Sequence, residues 1–428
     1  MKIRTAIKQT LFLYKSKLLN LLSLELYNKR TMFRILALCC VLTLMLVEAN
    51  RDLLEAKKRL DAANSRIIGE FLYQGAKRNP GEIYTSALLP ILAAAGQLAL
   101  FCREKTCDQL FNFLNLKYKA EILVLFPILR KTLFDESLIG SPSLNLNVYA
   151  DEDNKFCKAF TQSYYKTFEG KTRLVDYSDP VRAAKEINNE VKEEGSGNFK
   201  SLISSKMIKE GAGLNFVSTY EQTVIYDDQF IFKKNVTIKF KSGRKVTNVP
   251  GIAGEGIVKY ADLKDFDAKS YELVGEGEVY SYLILVPNKP DGLLGLLDKL
   301  RSPTAFGDIL ERGEEVCAKV SILYRDFIAK IDLGKSARES NYLEGAFEEG
   351  GLQLRGVSQK CNKTYISSVL HEVSLKLGFG NGYKASKCSK FDVELVTNRP
   401  HLYFVTYTKK VSPSRTPIIG VVVDVTSN

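Results

Sequence analysis

Val369-Leu370-His371-Glu372-Val373 begins the stretch on which the reading of this chain turns, and the stretch ends at Phe404. Its apolar and polar residues alternate with the period of a half-buried strand. Gly378-Phe379-Gly380-Asn381-Gly382 then breaks regular structure, because glycine and asparagine favour turns over ladders. Lys387-Cys388-Ser389-Lys390 is polar and reads as exposed. Strand character returns at Val393-Glu394-Leu395-Val396. After Arg399-Pro400 it continues through Tyr403-Phe404-Val405 to Ile418-Ile419-Gly420-Val421-Val422-Val423.

A strand, a small-residue hinge, an exposed segment and a second strand opened by Arg-Pro resemble the C-terminal part of the serpins. His371 stands on the family's His, Arg399-Pro400 on its Arg-Pro and Gly420 on the Gly of its last strand. The resemblance implies a serpin fold, mixed α/β, with about nine helices around three β-sheets and a reactive-centre loop exposed above one pole. It also implies a mode of action. Such a protein traps a protease by driving its cleaved loop into the main sheet as a new strand.

The hinge departs from the family. Where serpins carry Glu-Glu-Gly-Thr, this chain has Phe379, Gly380, Asn381 and Gly382. An inserted strand buries alternate residues. The ungapped register would bury Gly382, Lys384, Ser386 and Cys388, and a slip by one would bury Tyr383, Ala385, Lys387 and Ser389. Either way a lysine goes under the sheet without an obvious partner, at a cost of several kcal/mol. From Asn381 to Asn398 the loop is also short of the family's usual length, by roughly 20 Å of extended reach. Counting back from Asn398 by the family's spacing puts the scissile position near Ser389. Lys387, Cys388, Ser389 and Lys390 are therefore the bait candidates. A lysine suits a trypsin-like pocket, and Cys388 is alternatively open to a partner's thiol.

The resemblance extends over roughly residues 67–425, colinear and in spacing, with no single motif intact. Arg51 to Tyr73 reads as an amphipathic helix, Glu82-Ile83-Tyr84-Thr85-Ser86 as a short strand and Leu88 to Leu100 as an apolar helix. Ser86 sits on the first Ser of the family's Ser-Pro-Leu-Ser, and Leu89 replaces the second. Ile187-Asn188-Asn189-Glu190-Val191 and the run from Leu214 to Phe230 follow further family spacings. In that run Ser218 replaces an Asn and Tyr226 a Trp. Val246 to Ile252, Tyr282 to Pro287 and the helix Leu293 to Leu300 match later elements. What the resemblance implies at the centre is a shutter of His371 with Ser86 and Ser218, one hydroxyl poorer because of Leu89.

Met32-Phe33-Arg34, the apolar run Ile35 to Val47 and Val47-Glu48-Ala49 have the form of a signal peptide, too short for a membrane span. Residues 32–49 are thus read as the signal and 50–428 as a single serpin domain, secreted and extracellular. Residues 1–31 are a leader that a secretion signal does not ordinarily follow. Translation starting at Met32 is one reading of it, and an unusual anchor of two apolar runs another. The leader holds seven basic residues against Glu25, so it accounts for +6 of the formal +12. Residues 32–49 are neutral, and the remaining +6 on the domain does not call for nucleic acid. Cys39 and Cys40 leave with the signal. Six cysteines remain, an even number that permits disulfides in a secreted chain without choosing among the pairings. Asn235-Val236-Thr237 and Asn362-Lys363-Thr364 are glycosylation sequons.

Catalysis is not expected. The histidines are His371 and His401, and no nucleophile elbow, zinc helix or phosphate loop accompanies them. His401 replaces the family's Phe after Arg-Pro and is expected to pack with Tyr403. No metal or cofactor is expected either. Lys233, Lys234, Lys239, Lys241, Arg244 and Lys245 form the densest basic run. Lys239 and Lys241 share a strand face along which a polyanion could lie; a solvated hairpin rim is the usual and preferred explanation of such a run.

The preferred function is a secreted serpin-family monomer, binding neither nucleic acid nor membrane. Its loop engages an extracellular protease or another secreted protein, or does nothing, with trapping weakened or lost. The alternative is an inhibitor of serine or cysteine endopeptidases that uses the short loop as a substrate-like plug. A structural or storage component of a secretion is a third reading. The sequence leaves open the target protease, the scissile bond, the disulfide pattern, the start codon and the tissue.

Overall fold

From Arg51 onward, helix α1 (Lys29–Arg78) buries Ala56, Leu60, Ala63, Ile67 and Phe71, a spacing of three or four residues that keeps one face on the core. The computed structural model describes residues 29–87, 89–195, 201–226, 230–324, 326–360, 363–378, 388–408 and 417–425. The position after Ala49, where signal cleavage is expected, lies within α1. Among the described residues no helix is long and apolar enough to cross a membrane.

Helix α2 (Leu89–Phe101) is apolar all round and accordingly buried on nearly every side. It is followed by α3 (Glu104–Leu114), α4 (Lys119–Leu133) and α5 (Lys158–Phe168). Helix α6 (Pro180–Glu194) has a well-capped start. Pro180 presets the first turn, and the Asp179 side chain accepts hydrogen bonds from the Val181 and Arg182 amides. Shorter helices α7 (Leu293–Leu300), α8 (Ala305–Glu311) and α9 (Leu333–Glu339) complete the helical set among the described residues.

The strands form two sheets. The smaller takes β2 (Ser143–Asp151), β3 (Lys171–Val175), β4 (Gly213–Ile225), β10 (Phe327–Asp332) and β11 (Tyr365–Gly378) in the order β10-β11-β4-β2-β3. One face of β4 and β11, with Leu214, Phe216, Tyr220, Val369 and Val373, lies on the main core. Val217 and Leu370 on the opposite face join a second cluster with Ala183, Ile187 and Val191 of α6. Strand β11 is thus buried on both faces, not half-buried as its alternation suggested, because α6 covers the second face; its polar residues His371 and Glu372 are enclosed with the apolar ones.

The larger sheet contains β1 (Tyr84–Ala87), β5 (Phe230–Ser242), β6 (Lys245–Leu263), β7 (Ala268–Val274), β8 (Tyr280–Pro287), β9 (Glu314–Leu323), β12 (Val393–Val396), β13 (His401–Tyr407) and β14 (Pro417–Val423). Their order is β1-β14-β13-β8-β7-β6-β9-β12, with β5 paired to β6. The expected second and third sheets are thus joined. The cause is β6, whose 19 residues pair with β5, β9 and β7 along one continuous strand. Gly420 on β14 marks a close approach, since a Cβ there would lie 2.6 Å from Phe404 Cε1 and 2.8 Å from Leu72 Cδ1. The glycine lets α1 and β13 close on the same spot.

Candidate functional site

The site is the seam between β11 and β4, together with the chain that leaves β11 and returns to the larger sheet. The two strands run parallel and pair from Tyr365 opposite Gly213 to Gly378 opposite Ile225, with one irregularity between Ile366 and Ser368. The slot a new strand would enter is therefore closed along its length. A strand entering there would run antiparallel to both neighbours, because the chain must turn back after Gly378.

His371 sits midway along this seam, opposite Ser218, and both are buried. Its Nδ1 is 2.9 Å from Ser218 Oγ, which also donates to the Leu370 carbonyl at 3.2 Å. Burial holds the imidazole well below its ordinary range, to about 3, so the ring is neutral near pH 7. A hydroxyl that donates to Leu370 accepts from Nδ1, which places the ring proton on Nδ1. Nε2 has no hydrogen-bond partner among the described residues. Ser86 lies on β1, its backbone opposite Gly420, and its side chain is outside the described residues. The structure thus brings His371 and Ser218 together.

The hinge residues Phe379, Gly380, Asn381 and Gly382 lie outside the described residues, as does Lys387. From Cys388 the chain is described again, and it is fastened to β9. Cys388 is disulfide-bonded to Cys317, 71 positions away in sequence, with Cα atoms 5.6 Å apart. Cys388 is therefore committed within the chain and not offered to a partner's thiol. Four residues later the Asp392 amide donates to the Cys317 carbonyl at 2.8 Å. Ser389 and Lys390 are exposed between these two attachments. Lys319 places its ammonium 5.0 Å from the centre of the Phe391 ring. Strand β12 then runs parallel to β9 from Val393 opposite Ala318. The Thr397 hydroxyl accepts from the Leu323 amide at 2.9 Å and closes the junction.

Cys317 is the residue that sequence reasoning missed. It was counted among the cysteines, but nothing in the sequence marked it as the partner of Cys388. A second bond, Cys102–Cys107, joins the end of α2 to α3. Cys361 is outside the described residues.

His401 at the start of β13 is buried, and burial lowers it to about 4. Its Nδ1 lies 2.8 Å from the Arg399 carbonyl, and its ring packs beside Phe240, with centroids 6.3 Å apart. Tyr226, in the place of the family's Trp, is buried against Phe232 and Tyr282. Its hydroxyl is 3.4 Å from that of Tyr403.

Lys239 and Lys241 are exposed on one face of β5 while Ile238 and Phe240 between and beside them are buried. Arg244 and Lys245 are exposed at the hairpin turn; the side chains of Lys233 and Lys234 are outside the description. Asn235 is exposed on β5, and Asn362 is not among the described residues.

Comparison with known proteins agrees with this geometry. A family model described as Serpin (serine protease inhibitor) matches residues 70–422. Alaserpin of Manduca sexta is 22% identical over 342 residues, covering 79% of this chain and 86% of its own length. The structure of native protease nexin-1 with heparin superposes with a TM-score of 0.73 at 17% identity, over 86% of this chain and 99% of that one. Manduca sexta serine protease inhibitor (serpin)-12 gives 0.72 at 15% identity, over 85% and 98%. With the model spanning most of the chain, and with the closed sheet and its central histidine where the resemblance put them, this chain belongs to the serpin family.

Proposed function

We propose that this chain is a secreted serpin-family protein whose reactive loop meets a protease or another extracellular protein without the full-insertion trap. The observation that carries the reading is the mismatch between slot and loop. The slot is lined by the 13 residues of β4 and the 14 of β11. The chain that would fill it begins Phe379-Gly380-Asn381-Gly382, which gives little strand preference. It then presents Lys384 in one parity and Lys387 in the other. An ammonium placed under the sheet is taken out of water, and its desolvation opposes insertion.

Secretion is supported by the signal-like residues 32–49 and by two disulfides, which persist in oxidising compartments. In this reading residues 50–428 form the working domain, Asn235 and Asn362 accept glycans, and the protein acts as a monomer. It works by binding, not by catalysis. Lys239 and Lys241 offer a secondary contact for a polyanion, and the nexin-1 relative was solved with heparin. Salt-sensitive heparin-column retention that charge reversal of the two lysines abolishes would support that contact.

A second reading, an inhibitor that plugs the protease with its short loop, is favoured by a relative whose structure is titled serine protease inhibitor. Incubation with trypsin-like, chymotrypsin-like and papain-like proteases separates the readings. The non-trapping protein gives no SDS-stable complex and no lasting inhibition. Inhibition without such a complex supports the plug. A complex stable in SDS removes the proposal.

A further inference from the structure

Cys317 holds the returning chain at two points. Its sulfur is bonded to Cys388, and its carbonyl accepts the Asp392 amide at 2.8 Å. Ser389, Lys390 and Phe391 are thereby confined to a short arch that begins and ends on a single residue of β9. Asp392 Oδ2 also accepts from the Cys317 amide, at 3.4 Å, and the Phe391 ring lies against Lys319. A protease cleft binds its substrate as an extended strand over several residues on both sides of the scissile bond. An arch closed on one residue cannot adopt that form, however exposed Lys390 is.

We infer that Cys317 fixes where the reactive loop ends: the protease-facing segment stops at Cys388, and the Lys390–Phe391 bond is withdrawn from attack. The inference rests on the reading that this loop is what a protease meets. It decides specificity, because one of the basic residues that a trypsin-like enzyme would choose is removed from the bait.

It also decides the product. Hydrolysis between Cys317 and Cys388 adds the water's hydroxyl to the new carboxyl group and its proton to the new amine. The C-terminal fragment stays covalently joined to the body through Cys388–Cys317. Hydrolysis at Lys390–Phe391 would release residues 391–428, which contain no cysteine. Cleavage would thus yield a two-chain molecule in which β12, β13 and β14 remain bonded to β9.

Limited digestion of the full chain with trypsin tests this, followed by alkylation, denaturing gels with and without reductant, and mass analysis of the fragments. Native protein cut only between Cys317 and Cys388 is expected to run as one chain without reductant, and no digest of it should release a 391–428 fragment. In the Cys317→Ser/Cys388→Ser variant, cleavage at Lys390–Phe391 should rise at least about tenfold, because local opening then no longer has to break a covalent tie. Cleavage at the exposed Arg244 should not change.

Should that variant fail to fold, the native chain treated with dithiothreitol must show the same opening. There the dithiol passes two electrons and two protons to the cysteine pair and closes to its own cyclic disulfide. Free 391–428 fragment from the untreated native chain, or equal rates at Lys390 with and without the bond, overturns the inference. An SDS-stable protease complex in the same digest would sink the non-trapping reading alone, since it appears as a separate band.

Discussion

The seam between β11 and β4 and the junction between β9 and β12 bracket the same loop, yet they are held by different means. The seam is a parallel ladder of backbone hydrogen bonds, crossed by side-chain contacts from Ser368 to Asn215 and, at its middle, from Ser218 to His371. Every bond in it can be exchanged for an equivalent one if the strands part. At the junction, four residues of β12 pair with β9, and the chain arriving there is already covalently fixed at Cys317. The difference teaches that a slot for a strand and the segment that would fill it are specified separately. A sheet can keep the geometry of insertion while the loop feeding it is shortened and pinned.

The comparison can be broken most forcibly at the junction. Cys317→Ser with Cys388→Ser removes a crosslink spanning 71 positions, and chain entropy predicts a loss of about 4 kcal/mol in guanidinium unfolding. An unchanged midpoint would mean that the hydrogen bonds alone hold the junction.

Acid sharpens the contrast next. His401 is neutral in the folded chain down to about 4, whereas the unfolded chain takes up its proton near 6.5. Unfolding therefore gains a proton as pH falls through that window. Stability is full above pH 6.5, declines toward pH 4 and is flat in this term below it. His401→Phe should recover about 2 kcal/mol at pH 4.5 relative to its effect at pH 7.5, read from urea midpoints. Because His371 titrates lower still, to about 3, the variant should retain a residual acid loss from the seam. A variant with the native protein's full pH dependence would refute the assignment to His401.

Two smaller effects follow. Gly420→Ala forces a methyl against Phe404 and Leu72, with an expected cost of about 2 kcal/mol and a lower Tm. Ser218→Ala leaves Nδ1 of His371 without its partner, and about 1 kcal/mol should be lost. Faster amide exchange at Leu370 and His371 with the junction unchanged would place that loss in the seam, and uniform acceleration across both would contradict it.

Much of this fold was legible because its strands are strongly patterned. The strand around His371, the return of strand character at Val393 and the helix Leu293–Leu300 all appear where the residues put them, although the first is buried on both faces and not on one. His371 meeting Ser218 followed from colinear spacing, which fixed both on neighbouring strands. Other features depended on contacts distant in sequence. The joining of two sheets comes from the unbroken length of β6, where the run Val246 to Ile252 showed only its beginning. The Cys317–Cys388 bond requires β12 to lie beside β9, and no local pattern announces that pairing. Phe240 beside His401 comes from the hairpin of β5 and β6, which no pattern around His401 announces.

The central claim is that the cleaved loop does not enter the seam, and thermal melting before and after a single cut in the loop tests it most directly. The account predicts that the cut protein melts within a few degrees of the intact one, with β11 still paired to β4. A cut protein that melts far higher would contradict it, because only a strand gained between β11 and β4 would supply such stability.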